Sequence, residues 1–266
     1  MGNLLQLFLL ALLGSVIALI GGVVFLFNKK LSSVLQTHSI PFAAGVLITV
    51  SLVGLIPEAI DQMGENALIV VLIAFFLAYL FEYFIVDIHH HAEDHHHHSK
   101  VSVPLVVVGD TIHNFIDGVA IAASFFVSPG LGLITSLSTF LHEVPHEIGD
   151  FGILLKAGYG RKKVLLINLV SASATLVGAF VTVFIPEDSS FTGIMLAISA
   201  GIFLYLGAID FLPHISDGHS SKLKSVVPLG LGIIIMVATL MLVPHSHEDE
   251  SRESQLPTES TFQRDY

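Results

Sequence analysis

The chain has 266 residues, of which 53% are hydrophobic and 12% charged, with a mean hydropathy of +0.81. Soluble domains carry about 25% charged residues, so this composition excludes an ordinary cytosolic domain and points into a membrane. The formal net charge of −11 leaves no basic, aromatic-interleaved patch for nucleic acid, and without cysteine any metal chemistry falls to imidazole and carboxylate, which suit zinc, manganese or ferrous iron.

A membrane span needs about 20 mostly apolar residues. Eight such segments follow one another, roughly 3–27, 40–60, 67–86, 102–126, 131–157, 163–185, 191–213 and 226–243. The first has no basic leader, is too long for a signal-peptide core and runs into Lys29-Lys30, so it is read as a retained helix. Basic residues fall in the odd loops: Lys29 and Lys30, Lys100, Lys156 to Lys163, then Lys222 and Lys224. The even loops, DQMGEN, SPG and PEDSS, hold none. By the positive-inside rule the odd loops are cytoplasmic and both termini extracytoplasmic. The expected fold is an all-α polytopic membrane protein of eight transmembrane helices over residues 1–244, followed by an acidic, disordered tail over 245–266.

Segment 2, AAGVLITVSLVGLIPEAID, and segment 7, SAGIFLYLGAIDFLPHISD, align Ala44-Gly45 with Ala200-Gly201, Pro57 with Pro213 and Asp61 with Asp217 at identical spacings. An odd number of crossings separates them, so they run in opposite directions, as inverted repeats do. The plainer alternative is coincidence in apolar sequence that contains glycine and proline. Between segments 3 and 4 the loop 87–100 carries His89, His90, His91, His95, His96, His97 and His98. Such tracts bind metal weakly and without fixed geometry, so a cytoplasmic collecting or sensing loop is expected, with an inert solvated linker as the alternative.

Segment 4 contains GDTIHNFIDG, in which His113 and Asp117 share a helical face, Asp110 precedes His113 by three residues and Asn114 flanks that face. Segment 5 contains LHEVPHEIGD: His142, His146 and Asp150 recur every four residues, with Glu143 and Glu147 as a parallel stripe. The two helices run in opposite directions, and His113 and His142 each lie about 11 residues from the start of their segments. Asp117 and His142 should therefore meet near the midplane.

An ionised carboxylate at the bilayer centre costs at least ~2.5–3.5 kcal/mol. No basic residue in mid-helix matches Asp117, Glu143 and Glu147, or Asp110 and Asp150 nearer the cytoplasm. Protons or bound cations must supply the compensating charge, and these carboxylates beside three imidazoles can hold one or two divalent ions. Hydrogen bonds that merely join helices account for Asn168 and Ser171 in segment 6, but poorly for His113, Asp117, His142, Glu143 and His146 together. For Asp110 and Asp150 both readings stay open. Pro145 removes a backbone bond and frees the Leu141 carbonyl, either as an ordinary kink or as part of a ligand site.

At these residues the sequence resembles the ZIP family (Zrt/Irt-like proteins) of divalent metal transporters, in the branch whose fifth helix reads HExPHExGD. HNFIDG on segment 4 and HEVPHEIGD on segment 5 carry the resemblance, together with eight spans and a histidine-rich loop between helices 3 and 4. It implies a homodimeric carrier in a plasma or inner membrane, moving zinc, and often iron, manganese or cadmium, toward the cytoplasm, with no resident cofactor. The family's ligands would fall on His113, Asn114, Asp117, His142, Glu143 and His146 as a two-metal centre, with helices 1, 4, 5 and 6 moving elevator-like against the rest. Asp110, Glu147, Asp150 and the loop histidines would be pathway or secondary positions. Two departures bear on the second metal: segment 6 has no carboxylate before Glu187, and Gly54 stands where many relatives have a polar residue.

HEVPH also fits the H-E-x-x-H of zinc proteases. A protease would need a third ligand, a metal-bound water and Glu143 as base, yet Pro145 bends the helix it must hold rigid, and Asp117-Gly118 follows His-Asn without the Asn-Pro stretch of intramembrane proteases. A membrane metal sensor would need an output segment, which nothing here resembles. Five or six strong ligands also suit a carrier better than a channel, whose sites must release ions quickly. The metal is read as cargo, and the chain as no enzyme.

Overall fold

The computed structural model of the protein describes residues 2–90, 103–185, 188–213 and 222–244. Among them the regular structure is entirely helical: α1 (Gly2–Gly14), α2 (Ile20–Phe27), α3 (Lys29–Thr49), α4 (Ile56–Met63), α5 (Asn66–His90), α6 (Val103–Val127), α7 (Pro129–Lys156), α8 (Arg161–Val183), α9 (Ser189–Tyr205) and α10 (Lys222–Leu242). Short π-helical segments, Val50–Leu55 and Leu206–Phe211, follow α3 and α9.

Six stretches are long and apolar enough to cross a membrane: Thr37–Met63, Asn66–Tyr83, Val103–Val127, Arg161–Val183, Ser189–Phe211 and Leu223–Leu242. The protein is an integral multi-pass membrane protein. Large apolar side chains such as Leu72, Phe76, Val170, Phe180 and Met241 are exposed, as contact with hydrocarbon requires. At 28 residues α7 is the longest helix described, but its polar stripe makes it less apolar than these six. Segment 1 is not one helix. It breaks at residues 15–19 into α1 and α2, where the Ser15 hydroxyl donates to the Ala11 carbonyl (2.6 Å), a local bond that competes with the helical ladder. The third segment continues as helix through His90, so residues 87–90 are not loop. His91, His95, His96, His97, His98, Asp217 and the tail 245–266 lie outside the described residues.

Both π-helical segments have a sequence cause. Proline two residues beyond each cannot donate and crowds the preceding turn. The turn widens instead: the Ile56 amide donates to the Ser51 carbonyl before Pro57, and the Leu212 amide to the Gly207 carbonyl before Pro213. These paired bonds stand at the same spacing as Ala44-Gly45 and Ala200-Gly201.

The helices sort into two groups. α6 packs along α8, and α7 packs against α1, α2, α6 and α8. α3 packs along α10, and α5 and α4 against α9. The groups meet where α7 crosses α3 and α6 crosses α9. Glycines permit the closest approaches: a Cβ on Gly45 would strike the Leu229 carbonyl of α10, and one on Gly201 the Val71 carbonyl of α5. A large apolar core fills the space between α3, α4, α9 and α10, built on Leu47, Leu55, Leu196, Phe203 and Met236. Inside the second group the Tyr205 hydroxyl donates to Glu82 of α5, giving that carboxylate a partner within the bundle.

Candidate metal centre

α6 and α7 form a tight antiparallel pair. Val127 ends one helix, and Ser128 caps the next by accepting from the Leu131 amide (3.1 Å). Asp117 lies 11 residues before Ser128 and His142 14 residues after it, so at ~1.5 Å per residue they come to nearly the same depth. The stripes expected from sequence therefore face one another.

Four side chains converge. His113 Nε2 lies 3.1 Å from Glu143 Oε1 and 3.7 Å from Asp117 Oδ2. His142 Nε2 lies 3.2 Å from Asp117 Oδ2 and 3.7 Å from Glu143 Oε1. One donor atom from each falls within 4.8 Å of all the others. Tetrahedral zinc with bonds of about 2.0–2.1 Å separates neighbouring donors by about 3.3 Å, so this is the spacing of a coordination shell before it contracts. His142 is preset for the task. Its Nδ1–H donates to the Ser138 carbonyl (3.0 Å), which leaves Nε2 as the bare ligand nitrogen.

The surroundings allow little else. Asp117 and His142 are wholly inaccessible, Glu143 is 1% exposed, and both Asp117 oxygens and His142 Nε2 are buried with no hydrogen-bond partner. Buried charges are normally paired or bound to metal, and no lysine or arginine of the described residues pairs with this group. Phe203 of α9 closes one side, its ring edge-on to His142 with centroids 5.4 Å apart.

A second group lies one to two turns nearer the C-terminus of α7. His146 Nδ1 is 3.5 Å from Asp110 Oδ1 and 3.8 Å from Asp150 Oδ2, and the three can offer donors to one ion. His146 is more accessible than the first group, with 23% of its side chain exposed. The His113 ring stacks on His146 at 4.9 Å and tilts against His142 at 5.4 Å, so it lies between the two groups.

Not every residue singled out from sequence joins a group. Asn114 donates to the Asp110 carbonyl (3.1 Å) and Asp110 Oδ1 (3.0 Å), and its Oδ1 accepts from the Thr175 hydroxyl (3.0 Å). Both ends of its amide are thus engaged by protein, and it orients Asp110. Glu147 is buried, with neither carboxylate oxygen hydrogen-bonded, and is a member of neither group. His89 and His90 end α5, far along the sequence from either group. Ser171 pairs with Thr111 of α6 (3.0 Å), the helix-joining role expected of it, whereas Asn168 turns back to the Val164 carbonyl of its own helix (2.8 Å). Sequence reasoning missed Thr175, Ser138 and Phe203. Thr175 had a faint signal, one turn beyond Ser171 on the same face, whereas Ser138 acts through its backbone and Phe203 resembles any core aromatic.

Imidazoles and carboxylates gathered inside a helical bundle, with no lysine or arginine of the described residues to pair with them, form a donor set that could hold a metal ion. The ZIP zinc transporter family profile matches residues 87–240, more than half of the chain, and the chain belongs to that family. It is 35% identical over 139 residues to zinc transporter foi of Drosophila melanogaster, an alignment covering 50% of this chain and 20% of foi. It is 36% identical over 144 residues to zinc transporter zipt-7.2 of Caenorhabditis elegans (52% of this chain, 31% of the relative). With mouse zinc transporter ZIP4 it shares 44% over 118 residues (44% and 18%). The chain thus spans less than a third of the length of these curated relatives.

Proposed function

We propose that the chain is a carrier of divalent transition-metal ions, zinc foremost, with iron, manganese and cadmium as further cargo, moving them toward the cytoplasm. The observation that supports this most directly is the four-donor group of His113, Asp117, His142 and Glu143, buried with no lysine or arginine of the described residues beside it. The relatives' names, all zinc transporters, put zinc first. Asp110, His146 and Asp150 form the next station on the cytoplasmic side, so that an ion exchanges one set of ligands for the other. Asn114 and Glu147 support these stations, and the histidines at positions 89–98 collect or sense the ion inside the cell. The transported metal is the sole ion required, and the chain catalyses no reaction.

The topology we infer has eight crossings over residues 1–244, six by the apolar helices, one by α7 and one by α1 with α2. Both termini face outward. An inverted repeat relating segments 2 and 7 is supported by the paired π-helical turns and by packing. Segment 2 lies on segment 8 and segment 7 on segment 3, while α7 on α3 is matched by α6 on α9. Such repeats commonly place a substrate site at their interface. The group of α1, α2, α6, α7 and α8 then moves as a body against a homodimeric scaffold in the plasma or inner membrane.

The test is entry of radiolabelled zinc into proteoliposomes, with the wild type compared against the His142→Ala/His146→Ala double variant. Entry in the first and none in the second is the expected result. Tight zinc binding with no flux in either protein would overturn the carrier reading.

A further inference from the structure

A cavity of about 470 Å³ opens between α3, α7 and α10, on the side of α7 away from His142 and His146. Its walls are Leu35 and Phe42 of α3, Phe140, Leu141 and Val144 of α7, and Leu231 of α10. The polar residues at its edge, Ser39 and His38, have spent their donors: Ser39 gives its hydroxyl to the Leu35 carbonyl (2.5 Å), and His38 Nδ1–H donates to the Lys224 carbonyl (3.1 Å). What remains is an apolar space within the membrane-embedded part of the molecule. Water needs polar partners to stay in such a space, so hydrocarbon fills it more favourably.

The position along the helices adds a second constraint. The cavity lies toward the N-terminal ends of α3 and α10, which begin at Lys29-Lys30 and at Lys222. Lys224 is exposed, and its carbonyl takes the His38 bond that ties the start of α10 to the middle of α3. Basic residues at the ends of membrane helices, above an apolar cleft between them, are the elements that select anionic lipid headgroups. An apolar cavity alone would take any acyl chain. With exposed Lys224 one turn before the lining residue Pro228, it distinguishes among lipids by charge.

We propose that the cleft between α3, α7 and α10 is a binding site for an anionic glycerophospholipid, with an acyl chain in the cavity and the headgroup at the N-terminal end of α10, beside Lys224. The occupant touches the contact between the two helix groups. It also touches Leu141, whose carbonyl loses its helical partner to Pro145, so it bears on the bend of the helix that carries His142 and Glu143.

The chain contains no tryptophan, so a single one serves as reporter. Leu231→Trp places it at the cavity, with Val34→Trp as a second reporter should the first fail to fold; Leu72→Trp places it on the exposed face of α5. Each variant is reconstituted into phosphatidylcholine vesicles containing equal fractions of either brominated phosphatidylglycerol or brominated phosphatidylcholine. The expected result is stronger quenching by the brominated phosphatidylglycerol at the cavity, reflecting a preference of roughly fivefold per basic residue engaged, with equal quenching by both at position 72. Adding Lys224→Gln to the cavity reporter should shrink the difference. Equal quenching by both lipids at the cavity would overturn headgroup selection. No quenching by either would show that protein, such as a second copy of the chain, covers the cleft. The readout is binding, with anionic lipid in both leaflets, so it stands apart from the outcome of the zinc-flux assay.

Discussion

Asp117 has both oxygens buried, no hydrogen-bond donor, and the ligand nitrogen of His142 at 3.2 Å. A helix-joining carboxylate would have a donor, and this one has only the ring atoms of two histidines. Asp117→Asn keeps the shape and removes the charge, so zinc affinity measured by titration calorimetry in detergent should fall by roughly tenfold or more. Unchanged affinity would make Asp117 a contact between helices and nothing further. Thr175 differs in kind, because it touches no metal donor directly and satisfies Asn114 Oδ1. Thr175→Val keeps the volume but leaves that oxygen buried and unpaired, at a cost of about 1–3 kcal/mol. Thermal unfolding should register the loss, while zinc affinity should move far less than for Asp117→Asn. An equal fall in affinity would place Asn114 among the ligands after all.

At the level of helices, the α6–α8 pair is the closest backbone approach in the site-bearing group. A Cβ on Gly118 would run into the Thr175 carbonyl and lie 2.7 Å from the Ala179 amide nitrogen, while one on Gly178 would strike the Phe115 carbonyl. Backbone atoms cannot swing aside as a side-chain tip can, so Gly118→Ala must separate the two helices. Gly230 of α10 has nothing within 4 Å of such a Cβ. There Gly230→Ala should be neutral or stabilising by about 0.5–1 kcal/mol, since alanine is the better helix former. Opposite signs for the two substitutions in thermal denaturation are the expected outcome. A Gly118→Ala protein as stable as the wild type would mean that α6 and α8 are not locked together, and with that the rigid-body reading of their group loses its support.

For the molecule as a whole, the proposed function separates where metal is gathered from where it crosses. Deleting residues 89–98 removes His89, His90, His91, His95, His96, His97 and His98 but no member of either donor group. Maximal zinc flux should persist, with an altered response to metal concentration, and complete loss of flux would put those histidines on the pathway. Much of the architecture was legible from hydropathy and periodicity. Apolar runs marked the helices because a bilayer demands that backbone bonds be satisfied within each segment. The four-residue spacing of His113 and Asp117, and of His142, His146 and Asp150, fixed which side chains share a face because helical geometry is local. Pro57 and Pro213 were legible only as matched positions of a repeat, and the wide turns before them came from the structure.

Other features depended on contacts between segments distant in sequence. Segment 1 looked continuous, yet it breaks at residues 15–19. Asn114 carried the composition of a ligand, but Thr175 on a neighbouring helix and Asp110 on its own engage it instead. The separation of the donors into His113, Asp117, His142 and Glu143 on one hand and Asp110, His146 and Asp150 on the other required the actual crossing of α6 and α7. The cleft between α3, α7 and α10 has no sequence signature at all, since its lining residues are ordinary core residues until three helices fail to close over them. By itself the sequence determined a membrane-embedded helical chain with a paired histidine–carboxylate stripe, because hydropathy and helical periodicity are written residue by residue. Only the tertiary structure decided which donors meet, which amide is already occupied and where space is left, because those depend on how closely one helix can approach another.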